Sequence, residues 1–163
     1  MKRLLVIFSM FMVFFSGYAK EININPEVGA KIPNLKLENL DERKVNSRRI
    51  FNNGKETLIV MAAEWCPHCH QELPEIQKFY EENKDKINVI VIFTNRKTSL
   101  ENTKQYVKDS KFTFPAFFDS DDSIFKSFKI KNVPTNFKVK NSEIEEIVQD
   151  IMKYDDLSEM FER

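Results

Sequence analysis

The sequence predicts an α/β fold in which helices flank a central mixed β-sheet. A continuously apolar run at Thr57–Ala63 and a second, mostly apolar run at Ile87–Phe93 are typical of strands that are buried on both faces. Each run is followed by a segment in which apolar residues recur every three or four positions, as they do on one side of a helix. A hairpin pattern and a short amphipathic segment close the chain, so the strands of the sheet are expected to run in both directions.

The start of the chain has the pattern of a secretory signal peptide. Lys2 and Arg3 precede the apolar run Leu4–Phe15, and small residues at Gly17 and Ala19 provide a cleavage site. The run is short compared with the about 20 apolar residues that a membrane-spanning helix needs. An uncleaved N-terminal anchor is the alternative. Three parts are thus predicted: a signal peptide (1–19), a polar lead-in segment (20–31) and a single domain (32–163).

The first elements of the domain are a small hairpin and a long helix. Leu35–Leu37 and Lys44–Asn46 are predicted to pair as an N-terminal β-hairpin, and Phe51–Lys55 is predicted to be a turn. After the first buried strand, the apolar spacing predicts a helix over Gln71–Asn83, which Pro74 should kink because proline lacks an amide hydrogen. The remaining predicted elements are a helix at Leu100–Asp109 capped by Ser99, a strand at Ala116–Phe118, helical turns at Ser123–Phe128, strands at Asn136–Val139 and Ile144–Gln149, and a helix at Tyr154–Arg163.

Charge and cysteine content limit the classes of function. The chain carries 25 basic and 25 acidic residues, and this balance does not indicate nucleic acid or an anionic membrane as a partner. Its two cysteines are Cys66 and Cys69. Exported domains often use disulfides as staples, but a disulfide between residues so close in sequence removes little chain entropy. The pair is therefore expected to serve chemistry.

The segment Trp65-Cys66-Pro67-His68-Cys69 carries this chemistry. A C-x-x-C between a strand and a helix is typical of a redox dithiol, because the free amides and the dipole of a helix N-terminus stabilise a thiolate. Cys66, at the helix start, is expected to be the more exposed and attacking thiol. Cys69, one turn later, is expected to be the resolving thiol. Pro67 and His68 are expected to tune the acidity of the attacking thiol.

The same sequence motif has two other interpretations, as a haem-attachment site and as a metal site. Cys66, Cys69 and His70 form the C-x-x-C-H pattern of c-type haem attachment, but a buried strand before the motif and the lack of a well-placed second axial ligand disfavour it. A metal site is not expected, because structural zinc needs four well-spaced ligands. His70 and Glu64 are expected to face solvent. Four aromatic residues are expected in the core: Phe112, Phe114, Phe117 and Phe118.

With Val133-Pro134-Thr135 ahead of the closing hairpin, the chain resembles the thioredoxin superfamily from about Ile32 to its C-terminus. The resemblance implies a thioredoxin-like fold in which Pro134 is cis and faces the dithiol. The extra helix and strand within Ser99–Phe118, the N-terminal hairpin and the signal peptide resemble the TlpA/ResA-like exported branch. The resemblance also implies a groove for the substrate's backbone, lined by Trp65, Val133, Pro134 and Thr135.

Glu72 is a further point of resemblance. Thioredoxin carries a buried acid six residues before its first cysteine, where this chain has Val60, which cannot move a proton. The ResA-like branch has a glutamate three residues after the second cysteine, and Glu72 occupies that position. Residues i and i+3 share a helix face, so Glu72 is expected to accept the proton of Cys69 with a pKa raised by burial. The alternative is an exposed glutamate that only favours the helix dipole.

The resemblance implies a monomeric thiol–disulfide oxidoreductase with no cofactor besides the Cys66–Cys69 disulfide. It would act in the periplasm or at the outer face of the membrane as a reductant of exported proteins, such as cytochrome c precursors, metal-assembly proteins or repair reductases. Electrons would come from a membrane thiol carrier of the CcdA/DsbD kind. Pro67-His68 is also the dipeptide of the DsbA-type oxidants, so a disulfide-introducing oxidase is the alternative.

Overall fold

The computed structural model describes residues 24–162, so the predicted signal peptide at 1–19 lies outside the described residues. Twelve helices and strands follow one another within that range. They are β1 (Lys36–Glu38), β2 (Lys44–Asn46), α1 (Arg48–Phe51), β3 (Glu56–Ala62), α2 (Pro67–Asn83), β4 (Ile87–Thr94), α3 (Leu100–Asp109), β5 (Ala116–Asp119), α4 (Ser123–Ser127), β6 (Thr135–Lys140), β7 (Glu143–Val148) and α5 (Tyr154–Glu162). None of the helices found between residues 24 and 162 is long and apolar enough to cross a membrane.

The central sheet has five strands in the order β5-β4-β3-β6-β7. β3 and β4 are parallel, as are β4 and β5, whereas β6 runs antiparallel to both β3 and β7. The sheet is therefore mixed, as predicted. Because β6 is antiparallel to β3, the carboxyl ends of β3 and β4 and the start of β6 meet at one edge of the sheet, and the loops of the site extend from that edge.

Both faces of β3 are buried, which explains its continuous apolar sequence. Leu58 and Val60 pack on the side covered by α2 and α5, while Ile59 and Met61 pack on the side of the hairpin and α4. All four side chains have no exposed surface. The four aromatic residues between 112 and 118 belong to the same core layers, as expected.

The N-terminal hairpin forms as predicted, with Leu37 of β1 opposite Val45 of β2. The short helix α1 was not predicted, because four residues contain no apolar period and Phe51 is buried only through its tertiary contacts. The described part of the lead-in segment packs against the domain. The amide of Ile24 donates to the carbonyl of Ser127 (2.9 Å), and the amide of Gly29 donates to that of Ile144 (2.8 Å).

Two helix starts matter for the site. Helix α2 begins at Pro67 rather than at Gln71, because Cys66 is its N-cap and proline is favoured at the first helical position. The helix continues through Pro74. Helix α3 begins as predicted, with the hydroxyl of Ser99 accepting a hydrogen bond from the amide of Asn102 (3.2 Å).

Candidate active site

The dithiol lies where β3 ends and α2 begins. Cys66 and Cys69 are free thiols, and the amide of Cys69 donates to Sγ of Cys66 (3.4 Å). The α2 N-terminus thus directs an amide and its dipole toward the Cys66 sulfur, which stabilises a thiolate there. On its other side, the Cys66 thiol donates to the carbonyl oxygen of Val133 (3.3 Å).

The two thiols differ in their access to solvent. Cys66 keeps 5% of its surface exposed and Cys69 keeps none, in the order that was expected. Pro67 and His68 are exposed beside them. Burial raises the pKa of the Cys69 thiol well above its ordinary value of 9.0, with a smaller opposing effect from a hydrogen bond to the backbone of Ala63. A proton that leaves the buried Cys69 thiol therefore needs an acceptor group within the protein.

Glu72 is buried below the dithiol, on the next turn of α2. One oxygen, Oε1, accepts hydrogen bonds from Nδ2 of Asn136 (2.7 Å) and from the amide of Met152 (2.9 Å). Burial raises its pKa to about 7, while these two bonds lower it and the nearby charge of Asp150 raises it. The other oxygen, Oε2, is buried and has no hydrogen-bond partner among residues 24–162. Glu72 is therefore not an exposed first-turn glutamate, so the alternative interpretation of its position is wrong.

The loop before β6 brings three of the expected groove residues to the dithiol. The Val133–Pro134 peptide bond is cis, and Pro134 is buried directly after the carbonyl that contacts the Cys66 thiol. Thr135 begins β6 opposite Met61, and its hydroxyl donates to the carbonyl of Asn132 (2.9 Å). The cis bond and the facing dithiol agree with the expectation from the resemblance.

Trp65 directly precedes Cys66 in the turn after β3 and is held by the loop after β4. Its side chain is 43% exposed, and its indole Nε1 donates to the carbonyl of Arg96 (2.8 Å). Nζ of Lys97 lies 5.4 Å from the centre of the ring, within the range of a cation–π contact. A large apolar face is thus held in a fixed position beside Cys66.

Arg96 was missed by the sequence analysis, although it connects the loops around the dithiol. Besides accepting from Trp65, it donates through its guanidinium to Asp122 (2.8 Å from Nε to Oδ1) and to the carbonyl of Ile130 (2.9 Å from Nη1). The sequence did contain a signal for Arg96, which lies two residues after the end of β4. Because the carboxyl ends of neighbouring parallel strands lie at one edge of a sheet, this position predicts that Arg96 is close to the dithiol at the end of β3.

Asn136 was also missed. It is a fully buried polar residue in β6, in register with Val60 of β3. Its Nδ2 also donates to the carbonyl of Asp150 (3.3 Å), and its Oδ1 is buried with no partner in the described part of the chain. Because polar and apolar residues alternate from Asn136 to Lys140, the strand pattern places Asn136 on the polar side and carries no signal of its burial.

The expectation that Glu64 faces solvent is wrong. Its Oε1 accepts a hydrogen bond from the Thr98 hydroxyl, and its Oε2 is buried, because the turn after β3 folds against the loop between β4 and α3. His70 is exposed, as expected, but its Nε2 contacts the carbonyl of Glu64. Its ring stacks on Tyr106, with centroids 4.8 Å apart.

These contacts disfavour the haem interpretation. A haem thioether at Cys69 would require access to a side chain with no exposed surface, and an axial role for His70 would break its contacts with Glu64 and Tyr106. Within residues 24–162, no group of three or more His, Cys, Asp or Glu side chains is arranged to hold a metal ion. The site thus brings together two thiols and the buried carboxyl of Glu72.

A dithiol at a helix start that faces a cis-proline, on the edge of a mixed sheet, defines the class of thioredoxin-like proteins. The sequence profile of the AhpC/TSA family matches residues 28–147. Sporulation thiol-disulfide oxidoreductase A of Bacillus subtilis is 30% identical over 141 residues, which cover 83% of this chain and 82% of that protein. Thiol-disulfide oxidoreductase ResA of Oceanobacillus iheyensis is 32% identical over 141 residues, covering 85% and 73%.

Among solved structures, the crystal structure of StoA from Bacillus subtilis aligns with a TM-score of 0.69 at 26% identity, covering 78% of this chain and 95% of StoA. The chain belongs to the AhpC/TSA family. Within it, the protein is a thiol–disulfide oxidoreductase of the ResA/StoA type.

Proposed function

We propose that the protein is an exported reductant of protein disulfides, in which Cys66 attacks, Cys69 resolves and Glu72 moves the proton. The observation that carries this proposal is the pairing of a buried thiol with a buried carboxyl on successive turns of α2. Glu72 keeps one oxygen without a hydrogen bond, and its pKa of about 7 lets it exchange a proton near neutral pH.

The first step is attack by the Cys66 thiolate on one sulfur of a substrate disulfide. The substrate S–S bond breaks, a mixed disulfide forms between Cys66 and the substrate, and the departing substrate sulfur takes up a proton. The N-terminal amides of α2 favour the thiolate that starts this step. Pro67 and His68, exposed beside Cys66, are proposed to tune its acidity.

The second step is resolution by Cys69. Its thiol gives a proton to Glu72, and the resulting thiolate attacks Sγ of Cys66. The mixed disulfide breaks, the Cys66–Cys69 disulfide forms, and the second substrate sulfur leaves as a thiolate that takes up a proton from water. Two electrons have then passed from the protein dithiol to the substrate disulfide. Because Cys69 is fully buried, a base inside the protein replaces solvent as the proton acceptor.

Substrate binding is assigned to the surface around Cys66. Trp65 offers an exposed apolar face, and Val133, Pro134 and Thr135 form the loop that contacts the Cys66 thiol. A substrate backbone lying along this loop would place its disulfide next to the Cys66 sulfur. Positioning of this kind supplies much of the rate in thiol–disulfide exchange, because the sulfurs must approach in line.

The signal-peptide pattern at 1–19 supports export, after which a membrane thiol carrier of the CcdA/DsbD kind would return electrons to the dithiol. The proposed substrates are oxidised exported proteins such as cytochrome c precursors, metal-assembly proteins or repair reductases. The direction is tested by the reduction potential measured against glutathione. A reductant should have a reduction potential well below that of the strongest oxidants of this fold. A reduction potential close to that of those oxidants would contradict the proposal that electrons flow from this protein to its substrates.

The roles of the two cysteines are tested by trapping. A Cys69→Ala variant should accumulate a mixed disulfide between Cys66 and the physiological substrate, because attack proceeds and resolution does not. The adduct is isolated by non-reducing electrophoresis and identified by mass spectrometry. Cys66→Ala is the matched control and should trap nothing. Equal trapping by both variants would contradict the assignment of attack to Cys66.

A further inference from the structure

A cavity of about 230 Å³ lies beside the cis-proline loop, and the proposed chemistry does not use it. Asn132 and Thr135, which flank Val133 and Pro134, both line it. The carbonyl of Val133, in the middle of this loop, contacts the Cys66 thiol at 3.3 Å, so one short loop joins the wall of the cavity to the dithiol. Arg96 fixes one wall, because its guanidinium donates to the carbonyl of Ile130 (2.9 Å).

The lining combines an apolar floor with a cationic rim. The floor consists of four apolar residues: Phe128, Ile130, Phe137 and Ile147. The rim carries Lys129 and Lys131. Phe128 and Phe137 are almost fully buried and pack edge to face, with ring centroids 5.3 Å apart, so the floor is rigid.

The positive charge of the rim is not balanced locally. Lys131 is exposed and makes no hydrogen bond or ion pair with residues 24–162. Nζ of Lys129 donates to the side-chain oxygen of Asn25 (3.1 Å), which is a neutral acceptor. No aspartate or glutamate of the described chain lines the cavity. An anionic group placed at the rim would therefore meet two lysines and no competing carboxylate.

We propose that this cavity is a subsite for the substrate protein, which recognises a bulky apolar side chain two residues away from an acidic residue. The inference rests on the proposed reaction with protein disulfides and adds a sequence preference to it. The apolar side chain would fill the cavity, and the Asp or Glu two residues away, on the same side of the extended segment, would pair with Lys131 and Lys129. The volume is below the about 300–1,000 Å³ of pockets for whole small molecules, and it suits one side chain.

The spacing along the substrate follows from chain geometry. An extended segment advances about 3.3 Å per residue, and alternate side chains point to the same side. The recognised pair is therefore expected within about three residues of the cysteine that forms the mixed disulfide with Cys66. This distance makes the preference local to the reacting cysteine rather than a property of the substrate's overall charge.

The test uses disulfide-linked peptides that differ at two positions near the reacting cysteine. The pairs compared, each with one serine between the two residues, are Phe-Asp, Phe-Asn, Phe-Lys and Ala-Asp, and the reduced full-length protein is the electron donor. The Phe-Asp peptide should have a KM lower than that of Phe-Asn or Ala-Asp by about threefold to tenfold, as for one exposed ion pair with an apolar anchor. The difference from Phe-Asn should shrink as salt is added.

The second part of the experiment reverses the charge at the rim of the cavity. Lys131→Glu should invert the preference, so that Phe-Lys becomes a better substrate than Phe-Asp. Lys86→Glu makes the same charge change on an exposed lysine next to the opposite end of β4, and it should keep the preference of the parent protein. Both substituted side chains are exposed, and circular dichroism would verify that the variants are folded.

The outcomes separate this inference from the function on which it rests. If the protein reduces neither the peptides nor glutathione disulfide, the proposed function fails. If it reduces all peptides with equal KM, or if Lys131→Glu and Lys86→Glu behave alike, the subsite is overturned while the function stands. Binding to vesicles of anionic phospholipid that is lost in Lys131→Glu, without any peptide preference, would also overturn the peptide subsite.

Discussion

Glu72 shows how one side chain acquires its chemistry from its neighbours. Both of its hydrogen bonds reach the same oxygen, from Asn136 and from the backbone of Met152. The carboxyl is therefore oriented while its second oxygen stays without a partner in the described chain. Because burial is the largest effect on its pKa, and the two hydrogen bonds oppose it, the carboxyl titrates near neutrality.

Replacing Glu72 with glutamine should slow resolution by on the order of 100-fold, because an amide cannot accept the Cys69 proton. The parent rate should rise with pH through about 7 as the carboxyl ionises, and the variant should lack that rise. Stopped-flow measurement of the release of the second substrate thiol checks both. Glu75→Gln, a change of another glutamate on α2, is the control. An unchanged pH profile in Glu72→Gln would remove Glu72 from the mechanism.

Asn136 is expected to act through Glu72. Its amide hydrogen bond lowers the pKa of that carboxyl, so Asn136→Leu should move the inflection of the resolution rate to higher pH. Loss of a buried hydrogen bond should also lower the free energy of unfolding by about 1–3 kcal/mol.

The pH profile separates this positioning role from simple destabilisation. Asn88→Leu is the matched control, because Asn88 also donates from Nδ2, to the carbonyl of Ile50 (3.0 Å), at the opposite end of the sheet. Asn88→Leu should lower the free energy of unfolding and leave the inflection of the resolution rate at the same pH as in the parent protein. A shift of the same size in both variants would show that Asn136 has no specific effect on Glu72.

At the scale of the elements, the site is an assembly of three loops. One follows β3 and carries Trp65, one follows β4 and carries Arg96, and one precedes β6 and carries Val133. The Cys66 thiol links the first loop to the third, and Arg96 links the second to both of the others. Arg96 therefore ties the loop that carries the cis-proline to the loop that carries Trp65.

Arg96→Met should loosen this assembly. We expect kcat/KM for peptide disulfides to fall by about tenfold, because the loop before β6 loses its link to the loop that holds Trp65. Amide hydrogen exchange in 129–133 should become faster. Arg96→Lys keeps the charge opposite Asp122 and should recover part of the loss, whereas Arg48→Met, on the exposed surface of α1, should change neither property. Unchanged exchange in Arg96→Met would contradict the bracing role.

At the scale of the whole molecule, one sheet separates two apolar layers, and the active site lies where both layers reach the same edge. Val60 and Asn136, in register on β3 and β6, face the layer that contains α2 and α5. The buried carboxyl of Glu72 is inserted in that layer, where two hydrogen bonds to one of its oxygens only partly replace the water that its charge would have in solution. Catalytic competence is therefore coupled to the stability of the fold.

This coupling predicts a pH dependence of stability. Burial raises the pKa of Glu72 in the folded state from 4.5 to about 7, so between these pH values the folded protein holds a proton that the unfolded chain has released. The stabilisation present below about pH 4.5 is lost as the pH rises through 7. The loss should be on the order of 3 kcal/mol and should be absent in Glu72→Gln.

Urea unfolding of the two proteins across this pH range measures the difference. The comparison between parent and variant cancels the contribution of Asp119, whose pKa burial also raises. The variant should therefore become more stable than the parent as the pH increases toward neutrality. A constant difference between the two proteins from acid to neutral pH would contradict the raised pKa of Glu72.

The sequence by itself determined the order of the main strands and helices, the place of the dithiol at a helix N-terminus and the hairpins at both ends of the domain, although the apolar period put the start of α2 at Gln71 instead of Pro67. These features follow from local periodicity and capping, because a buried strand and an amphipathic helix each leave their pattern in a short stretch of chain. The short helix α1 escaped prediction because it has too few residues to show a period. Cys66 and Cys69 could be assigned because one motif contains both.

Only the tertiary structure decided which distant groups complete the site. The partners of Glu72 lie 64 and 80 residues away in sequence, and the Ile130 carbonyl that Arg96 contacts lies 34 residues away. Glu64, expected at the surface, is folded against Thr98 for the same reason. A pKa depends on desolvation and on neighbouring dipoles, and a cavity depends on the packing of separate elements. Neither quantity has a local signature in the chain, since both arise when segments far apart in sequence meet at one edge of the sheet.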